Sequence, residues 1–226
     1  MLEKIEYVEK NGGALIYRCY GDGSSVELPS RLRGLNVREL ADHCFAGEPS
    51  FRYPKTQIQS IGREEWDREA SCLRESKDPY ETEGAGSWDC REISGIPAMG
   101  GRELREIFLP DTLEGIGDYA FYGCLNLERI HFPAGLKRLG GGAFVACNHI
   151  RRLYFAAEEE GETPYCMKDV LSELPYEVEA ILENREGKAV ARLAYPEYYE
   201  ESKENTPARI IEIVFHGTGY KYRQCF

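Results

Sequence analysis

The chain has eight cysteines and four histidines, the side chains most suited to metal binding and catalysis. Thiolates and imidazoles ligate metals and act as nucleophiles or bases. At least 17 residues separate any two of the cysteines, so there is no CxxC pair. Cys124 and Cys147 lie 23 residues apart, a spacing that the surrounding sequence shares. We therefore expect reduced, buried thiols that pack as small apolar side chains, in preference to disulfides or a metal site.

Catalytic motifs are equally weak. No GxSxG nucleophile motif occurs, no serine has a recognisable triad context, and the histidines lack metal-ligand spacing. Gly140-Gly141-Gly142 lacks the GxxxxGK[ST] and GxGxxG patterns of phosphate-binding loops. The carboxylate run Glu158–Glu160 has the composition of a solvated linker. We expect no catalytic residues, no metal ligands and no cofactor.

The elements that would position a binding site come from a repeat. LREIFLPDTLEGIGDYAFYGCLN (104–126) is followed by LERIHFPAGLKRLGGGAFVACNH (127–149), and IRRLYF (150–155) opens a third copy. A fixed repeat of 20–29 residues that begins LxxLxL is the leucine-rich-repeat signature, with one short strand and a turn or half-helix per coil. The shared apolar positions predict a core of Leu104, Ile107, Leu109, Leu113, Ile116, Ala120, Phe121, Leu127, Ile130, Phe132, Leu136, Leu139, Ala143, Phe144, Ile150, Leu153 and Phe155.

The first 47 residues have the pattern of a hairpin cap followed by one imperfect coil. Residues 5–20 alternate around Asn11-Gly12-Gly13, which predicts a β-hairpin. VELP (26–29) and, after an insertion of five residues, LADHCFAG (40–47) match the strand and the turn of the later repeats. A solenoid needs such a cap, since its terminal coil would otherwise expose an apolar face.

Residues 48–101 interrupt the repeat as an irregular insertion. IGREEW (61–66) echoes IGDYAF but has Glu65 where the repeat has Ala, so this coil is either distorted or absent. SKDPYETEGAGS (76–87) is polar and poor in aliphatic residues, and we expect residues 76–90 to be the least ordered internal stretch.

After Phe155 we expect the periodicity to stop. The sequence predicts an acidic linker, a short helix over 167–174, a hairpin from 176–184 and 188–196, and a strand at 209–215. The predicted organisation is α/β. Residues 1–155 form a short solenoid with one parallel strand per 23-residue coil and an N-terminal β-hairpin cap. Residues 156–226 form a linker and a small β-rich C-terminal unit, which looks cut from a longer protein.

The charge distribution bears on the partner class. The net charge is −11, from −1 over residues 1–47, −4 over 48–101, +1 over 102–155 and −7 over 156–226. Nucleic-acid and anionic-membrane binding both need clustered positive charge, so we expect neither. No run of 18 apolar residues occurs, and the N-terminus lacks the apolar core of a signal peptide. We expect a cytoplasmic protein.

The two full repeats resemble the BspA-like bacterial leucine-rich repeats, which read roughly L-x-x-I-x-L-P-x-x-L-x-x-I-G-x-x-A-F-x-x-C. The resemblance is strong over about 50 residues and looser over the first 47. It implies a protein-recognition module, since family members are mostly surface proteins that act in adhesion and recognition, while some lack export signals. The segment around PEYYEESKENTPARI is similar to one that follows such repeats in uncharacterised cytoplasmic bacterial proteins.

The outward face of the repeat strands is the candidate functional surface. Phe108, His131 and Tyr154 form one outward column, and Arg105-Glu128-Arg151 and Glu106-Arg129-Arg152 run beside it. Neighbouring strands lie about 4.8 Å apart, so Glu128 is within reach of two arginines and Glu106 of Arg129. In one interpretation the face is a ladder of charges that pair with one another beside an aromatic stack. In the other it is a binding patch, since Arg and Tyr are favoured as interface anchors. The candidate partner-binding residues are Arg105, Phe108, Arg129, His131, Arg151, Arg152 and Tyr154.

Two functional classes follow from the sequence. The first is an interaction module that binds a protein partner of unknown identity through the strand face. The second is an enzyme or regulatory protein whose active site lies in residues 156–226 or in sequence downstream. A pocket of titratable residues between the repeats and the C-terminal hairpin would favour the second class. The oligomeric state is left open.

Overall fold

A computed structural model describes residues 1–47, 56–61, 92–93, 95–156, 166–174, 178–184 and 187–195. The predictions for Glu65, for the stretch 76–90, for the acidic linker and for the strand at 209–215 lie outside these residues. In chain order the elements are β1 (Leu2–Lys10), β2 (Gly13–Gly21), β3 (Ser25–Glu27), β4 (Arg31–Leu32), β5 (Leu35–Leu40), β6 (Gln57–Ser60), β7 (Glu92–Ile93), β8 (Ile96–Pro97), β9 (Glu106–Phe108), β10 (Gly115–Ile116), β11 (Arg129–Phe132), β12 (Arg138–Leu139), β13 (Arg152–Ala156), α1 (Met167–Glu173), β14 (Val178–Glu183) and β15 (Ala189–Tyr195).

Two main sheets build a leucine-rich-repeat solenoid. Sheet A has the order β12-β10-β5-β2-β1-β6, with β4 paired to β5, and sheet B has the order β15-β14-β13-β11-β9-β3. Strands from successive coils pair in parallel, whereas the two hairpins β1–β2 and β14–β15 are antiparallel. A separate two-stranded ribbon joins β7 and β8. The predicted fold class is therefore confirmed.

The register of sheet B reproduces the 23-residue period. Ile107 pairs with Ile130 and Ile130 with Leu153, and all three side chains are fully buried. Every residue of the predicted core is buried except Leu139, which is half-buried against the core. Phe121 stacks between two rings at the equivalent position of neighbouring coils, with ring centroids 5.4 Å from Phe45 and 5.5 Å from Phe144. The apolar periodicity thus fixes which side chains form the core.

The N-terminal hairpin forms as predicted and continues sheet A. Asn11 and Gly12 have φ values of 53° and 71°, the left-handed pair that a two-residue hairpin turn requires. Strand β2 then pairs in parallel with β5 of the first coil. The five-residue insertion in that coil accompanies a small hairpin, in which β4 pairs antiparallel with the start of β5 around a left-handed turn at Arg33-Gly34. Sequence reasoning missed this hairpin.

The irregular insertion does not separate the first coil from the coil of β9 and β10. Strand β3 of the first coil pairs directly with β9, and β5 pairs directly with β10. No strand of residues 48–101 therefore lies between these partners in either sheet. Strand β6 instead extends the far edge of sheet A by pairing antiparallel with β1.

The stack continues beyond Phe155, so the expectation that the periodicity stops there is wrong. Strand β14 pairs in parallel with β13 and places Ala180 opposite Leu153, 27 residues away along the chain. The predicted short helix is present as α1, and the predicted hairpin as β14–β15. Sheet B thus crosses the proposed boundary between residues 155 and 156, and the two-part division of the chain stays a prediction.

The described cysteines are free and buried: Cys19, Cys44, Cys124, Cys147 and Cys166. The Cys124 thiol donates to the carbonyl oxygen of Phe45 at 3.2 Å, and the Cys147 thiol donates to that of Phe121 at 3.0 Å. Burial raises the pKa of the Cys166 thiol to about 12 and that of the Cys124 thiol well above its usual value. The Cys124 and Cys166 thiols are therefore protonated and act as packing groups of the core. Among the described residues, no helix has the length and apolar character to cross a bilayer.

Candidate functional site: the strand face of sheet B

The strand face consists of the side chains of sheet B that point away from the core. Along each short strand an inward residue alternates with outward ones, because successive side chains of a β-strand point to opposite sides. In β9, Glu106 and Phe108 flank buried Ile107, and in β11, Arg129 and His131 flank buried Ile130. Because the strands are in register, equivalent outward residues form columns across the sheet.

The aromatic column comprises Phe108, His131 and Tyr154. The ring centroids of Phe108 and His131 are 4.0 Å apart with an interplanar angle of 16°. Those of His131 and Tyr154 are 4.2 Å apart and nearly parallel, at 3°. Phe108 is 36% exposed, whereas His131 and Tyr154 are half-buried. The column is therefore a fixed stack whose Phe108 end faces solvent.

Glu106 and Arg129 form an ion pair on the face that is held by two hydrogen bonds. Arg129 donates from Nε to Glu106 Oε1 at 2.7 Å and from Nη2 to Glu106 Oε2 at 3.2 Å. This two-bond geometry is the one that guanidinium and carboxylate groups favour. The hydrogen bonds from Arg129 lower the pKa of Glu106 against an opposing effect of burial, and the same pair raises the pKa of Arg129. Glu106 also lies 3.3 Å from His131 Nε2, so it links the ion pair to the aromatic column.

The row of residues before the strands differs in part from the expected pairing. Arg105 Nη1 donates to Glu128 Oε1 at 3.0 Å, as predicted. The second partner of Glu128 is Arg129, with Nη1 3.6 Å from Oε2. Arg151 is exposed and makes no ion pair with any residue in the part of the chain that the structure describes. The prediction that Glu128 pairs with both flanking arginines is wrong for Arg151.

The charge ladder extends into the C-terminal hairpin. Arg152 Nε donates to Glu179 Oε2 at 3.0 Å, and Arg192 Nη1 donates to Glu179 Oε1 at 2.9 Å. Sequence reasoning missed Glu179 and Arg192 because it ended the repeat at Phe155. The alternation of 176–184 around apolar residues was the available signal, since it marks Glu179 as an outward position next to Arg152.

The face offers recognition chemistry, with stacked rings, fixed ion pairs and the Arg151 guanidinium, which no described residue pairs. Of the seven predicted residues, the register brings Phe108, His131 and Tyr154 together and ties Arg129 to the same stack through Glu106. Arg105, Arg151 and Arg152 flank them. Among the described residues, no group of three or more His, Cys, Asp and Glu side chains is placed to hold a metal ion.

Comparison with known proteins identifies a family match within the repeat region, residues 98–169. The family described as "BspA type Leucine rich repeat region (6 copies)" matches residues 98–169, which span about three coils of this chain. Residues 98–169 are a BspA-type leucine-rich repeat region. The match continues past Phe155 to α1, in agreement with the parallel pairing of β13 and β14. No curated protein and no solved structure matches the chain. Solenoid repeats of this kind are in general binding modules, because the stacked coils create extended recognition surfaces.

Proposed function

We propose that the protein binds a partner protein through the strand face of sheet B, with the aromatic column at the centre of the contact. The observation that carries the proposal is the stack of Phe108, His131 and Tyr154, which leaves Phe108 at the surface in a fixed arrangement. Rings held in place before binding lose little conformational entropy when a partner packs against them. Aromatic and arginine side chains are also the commonest energetic anchors of interfaces.

The charges around the aromatic column support a selective contact. Glu106, Glu128 and Glu179 are engaged by arginines and therefore give little net attraction of their own. Arg151 makes no ion pair with the described residues, and an incoming carboxylate would supply one. We therefore assign Arg151 to the rim of the interface, where a charge affects association rate and selectivity more than affinity.

A cavity among the described residues bears on the enzyme alternative. It has a volume of about 460 Å3 and is lined by Arg18, Gly47, Gly101, Arg102, Tyr122 and neighbours. These residues belong to the hairpin cap and the coil turns, not to the C-terminal segment where the alternative places its site. We therefore favour the interaction module, and we retain the cytoplasmic, bacterial setting as a prediction.

Affinity capture with matched variants tests the proposal. The full chain is immobilised as the wild type, as Phe108→Ala, as Arg151→Glu and as the control Lys137→Glu. Lys137 is exposed beside Glu114 in the coil segment that precedes β12, outside the strand face. Partners captured by the wild type and identified by mass spectrometry should be lost from Phe108→Ala, reduced for Arg151→Glu and retained by Lys137→Glu. Equal capture by Phe108→Ala and Lys137→Glu would contradict the proposal.

A further inference from the structure

A second exposed apolar surface lies on the turns that follow the short strands of sheet A. Tyr119, Tyr122 and Val145 are each 44% exposed, and Tyr122 and Val145 occupy the same position in successive coils. Half-buried His43 stands at the position of Tyr119 in the first coil. We call these four residues the turn-edge patch.

The rings of the turn-edge patch are arranged against one another. The ring centroids of His43 and Tyr119 are 5.3 Å apart with an interplanar angle of 44°. Those of Tyr119 and Tyr122 are 6.2 Å apart at 80°, an edge-to-face contact. Both tyrosines are still 44% exposed, and the electron-rich face of a tyrosine attracts cations.

The backbone at Tyr119 favours glycine. Its φ is 54° and that of His43 is 58°, in the left-handed region that side chains rarely adopt, whereas the next coil has Gly142 there with a φ of 65°. A Cβ on Gly142 would lie 2.6 Å from Cε1 of Tyr119, so the Tyr119 ring lies over that glycine. The coil can therefore form without a ring at this position, and unfavourable backbone conformations that persist are concentrated at functional sites.

Two exposed carboxylates are fixed beside these rings. Asp118 donates its backbone N–H to Asp42 Oδ1 at 2.8 Å, and Gly141 donates its N–H to Asp118 Oδ1 at 2.9 Å. Two arginines line a cavity that Tyr122 also lines: Arg102 is exposed, and Arg18 is buried and donates to the carbonyl oxygens of the first-coil turn. Burial lowers the pKa of His43 below its usual value, so this imidazole is neutral at pH 7. The patch thus presents rings and negative charge to solvent.

We propose that the turn-edge patch binds a lysine or arginine side chain of a basic segment in a partner protein. The cation would lie over the Tyr119 and Tyr122 rings, and the carboxylates of Asp42 and Asp118 would supply the complementary charge. This surface is separate from the strand face, so the proposal is independent of the proposed function.

Titration of the full chain with two peptides tests the proposal. The probe is an acetylated, amidated nonapeptide of alternating arginine and glycine, and its control has glutamine in place of arginine. Binding of the arginine peptide should shift the NMR ring resonances of Tyr119 and Tyr122 and weaken with added salt. The glutamine peptide should cause no such shifts. Equal binding of the two peptides would overturn the proposal.

Variants without a change of charge separate this contact from general attraction to a chain of net charge −11. Tyr119→Gly and Tyr122→Val introduce the residues that the next coil carries at 142 and 145. Each ring is worth a factor of about two to five in affinity, so the double variant should bind about 4- to 25-fold more weakly. An affinity within two-fold of the wild type would show that the peptide binds by charge alone, and the proposal would be wrong.

Two further measurements keep the outcome decisive. If Tyr119→Gly lowers the melting temperature strongly, Tyr122→Val alone should still weaken binding by about two- to five-fold. Phe108→Ala should leave the affinity for the arginine peptide unchanged. Loss of peptide binding in Phe108→Ala and its retention in Tyr122→Val would place the contact on the strand face and overturn the proposal.

Discussion

Phe121 shows at the residue scale why the repeat stacks. It is fully buried, and its ring lies parallel to those of Phe45 and Phe144 at the equivalent positions of the neighbouring coils. One side chain therefore stabilises two coil interfaces at once. Removing it leaves a cavity bounded by two other rings that cannot both close the gap.

We predict that Phe121→Ala lowers the free energy of unfolding by about 3–5 kcal/mol. Chemical denaturation followed by circular dichroism measures the change. The control is Val145→Ala, which removes exposed apolar atoms one coil further along and should cost less than about 0.5 kcal/mol. A loss below about 1 kcal/mol for Phe121→Ala would show that the ring is not part of a closed stack.

Glu106 gives the strand face a dependence on pH. Its pKa in the folded protein lies below the value in the unfolded chain, chiefly because Arg129 donates hydrogen bonds to the carboxylate. The stabilisation is therefore complete above the unfolded pKa of about 4.3 and is lost as the pH falls through the folded pKa. At neutral pH the ion pair contributes fully.

We predict that Glu106→Gln lowers stability by about 0.5–1 kcal/mol at pH 7 and by clearly less at pH 3. Urea unfolding at both pH values measures the difference. Glu27→Gln is the matched control, since Glu27 is exposed on the same sheet and makes no ion pair with the described residues. A cost for Glu106→Gln that does not change between the two pH values would contradict the assignment.

The sequence predicts the burial of single residues correctly where the repeat fixes the surroundings of the side chain. The apolar positions could be predicted because a residue that recurs every 23 positions occupies the same place in each coil. The partners of Glu128 could not be predicted, because a long side chain beside a strand can reach several neighbours and only the packed structure selects Arg105 and Arg129. The interactions of Arg18 were equally unpredictable, since a buried arginine bound to three carbonyl oxygens leaves no pattern in sequence.

At the element scale, the turn at Gly140-Gly141-Gly142 shows what fixes coil spacing. A Cβ on Gly140 would overlap the backbone of Gly117 in the preceding coil, so the two backbones touch directly. Gly141 has open space around its Cα, and its N–H is held by Asp118. The glycine run therefore allows the backbones of two successive coils to pack in direct contact, at Gly140 and Gly117.

We predict that Gly140→Ala destabilises the protein by about 1–3 kcal/mol, because the added methyl group must push two coils apart. Gly141→Ala should be neutral or slightly stabilising, since the site is open and alanine restricts the unfolded chain. Thermal unfolding of the two variants compares neighbouring positions of one turn. Equal melting temperatures would show that the coils are not in contact at Gly140.

Two elements escaped prediction for physical reasons. The hairpin β4–β5 forms where the first coil has an insertion of five residues, and no periodicity exists there to reveal its pairing. The coil after Phe155 is 27 residues long and has Cys166-Met167 where earlier coils have Ala-Phe. Cys166 and Met167 do lie 23 residues after Ala143 and Phe144, and this spacing was the available signal.

At the scale of the whole molecule, both ends of the stack carry antiparallel hairpins. The N-terminal hairpin pairs with β5, and β14–β15 pairs with β13. Helix α1 packs its buried residues Met167, Val170 and Leu171 into the same core as the repeats. These contacts cover apolar surface that a solenoid coil would otherwise expose to water.

We predict that deletion of residues 166–226 leaves the repeat block aggregated or markedly less stable. Removing α1 and β14 exposes the last coil, and apolar burial contributes about 25 cal/mol per Å2. Size-exclusion chromatography and thermal melting measure the effect. A truncated chain that stays monomeric and melts at the wild-type temperature would show that the C-terminal segment is independent of the solenoid.

Site-specific photo-crosslinking is the most direct test of the strand face as the partner-binding surface. A photoreactive phenylalanine analogue replaces Phe108 or, as a control, Lys137, and the full chain is irradiated in a lysate of the organism that encodes it. We expect position 108 to crosslink to a defined set of proteins, and we expect the yield of these crosslinks to fall in the Arg151→Glu variant. Position 137 should give no crosslinks to the same proteins. The same crosslinks from both positions, or none from position 108, would contradict it.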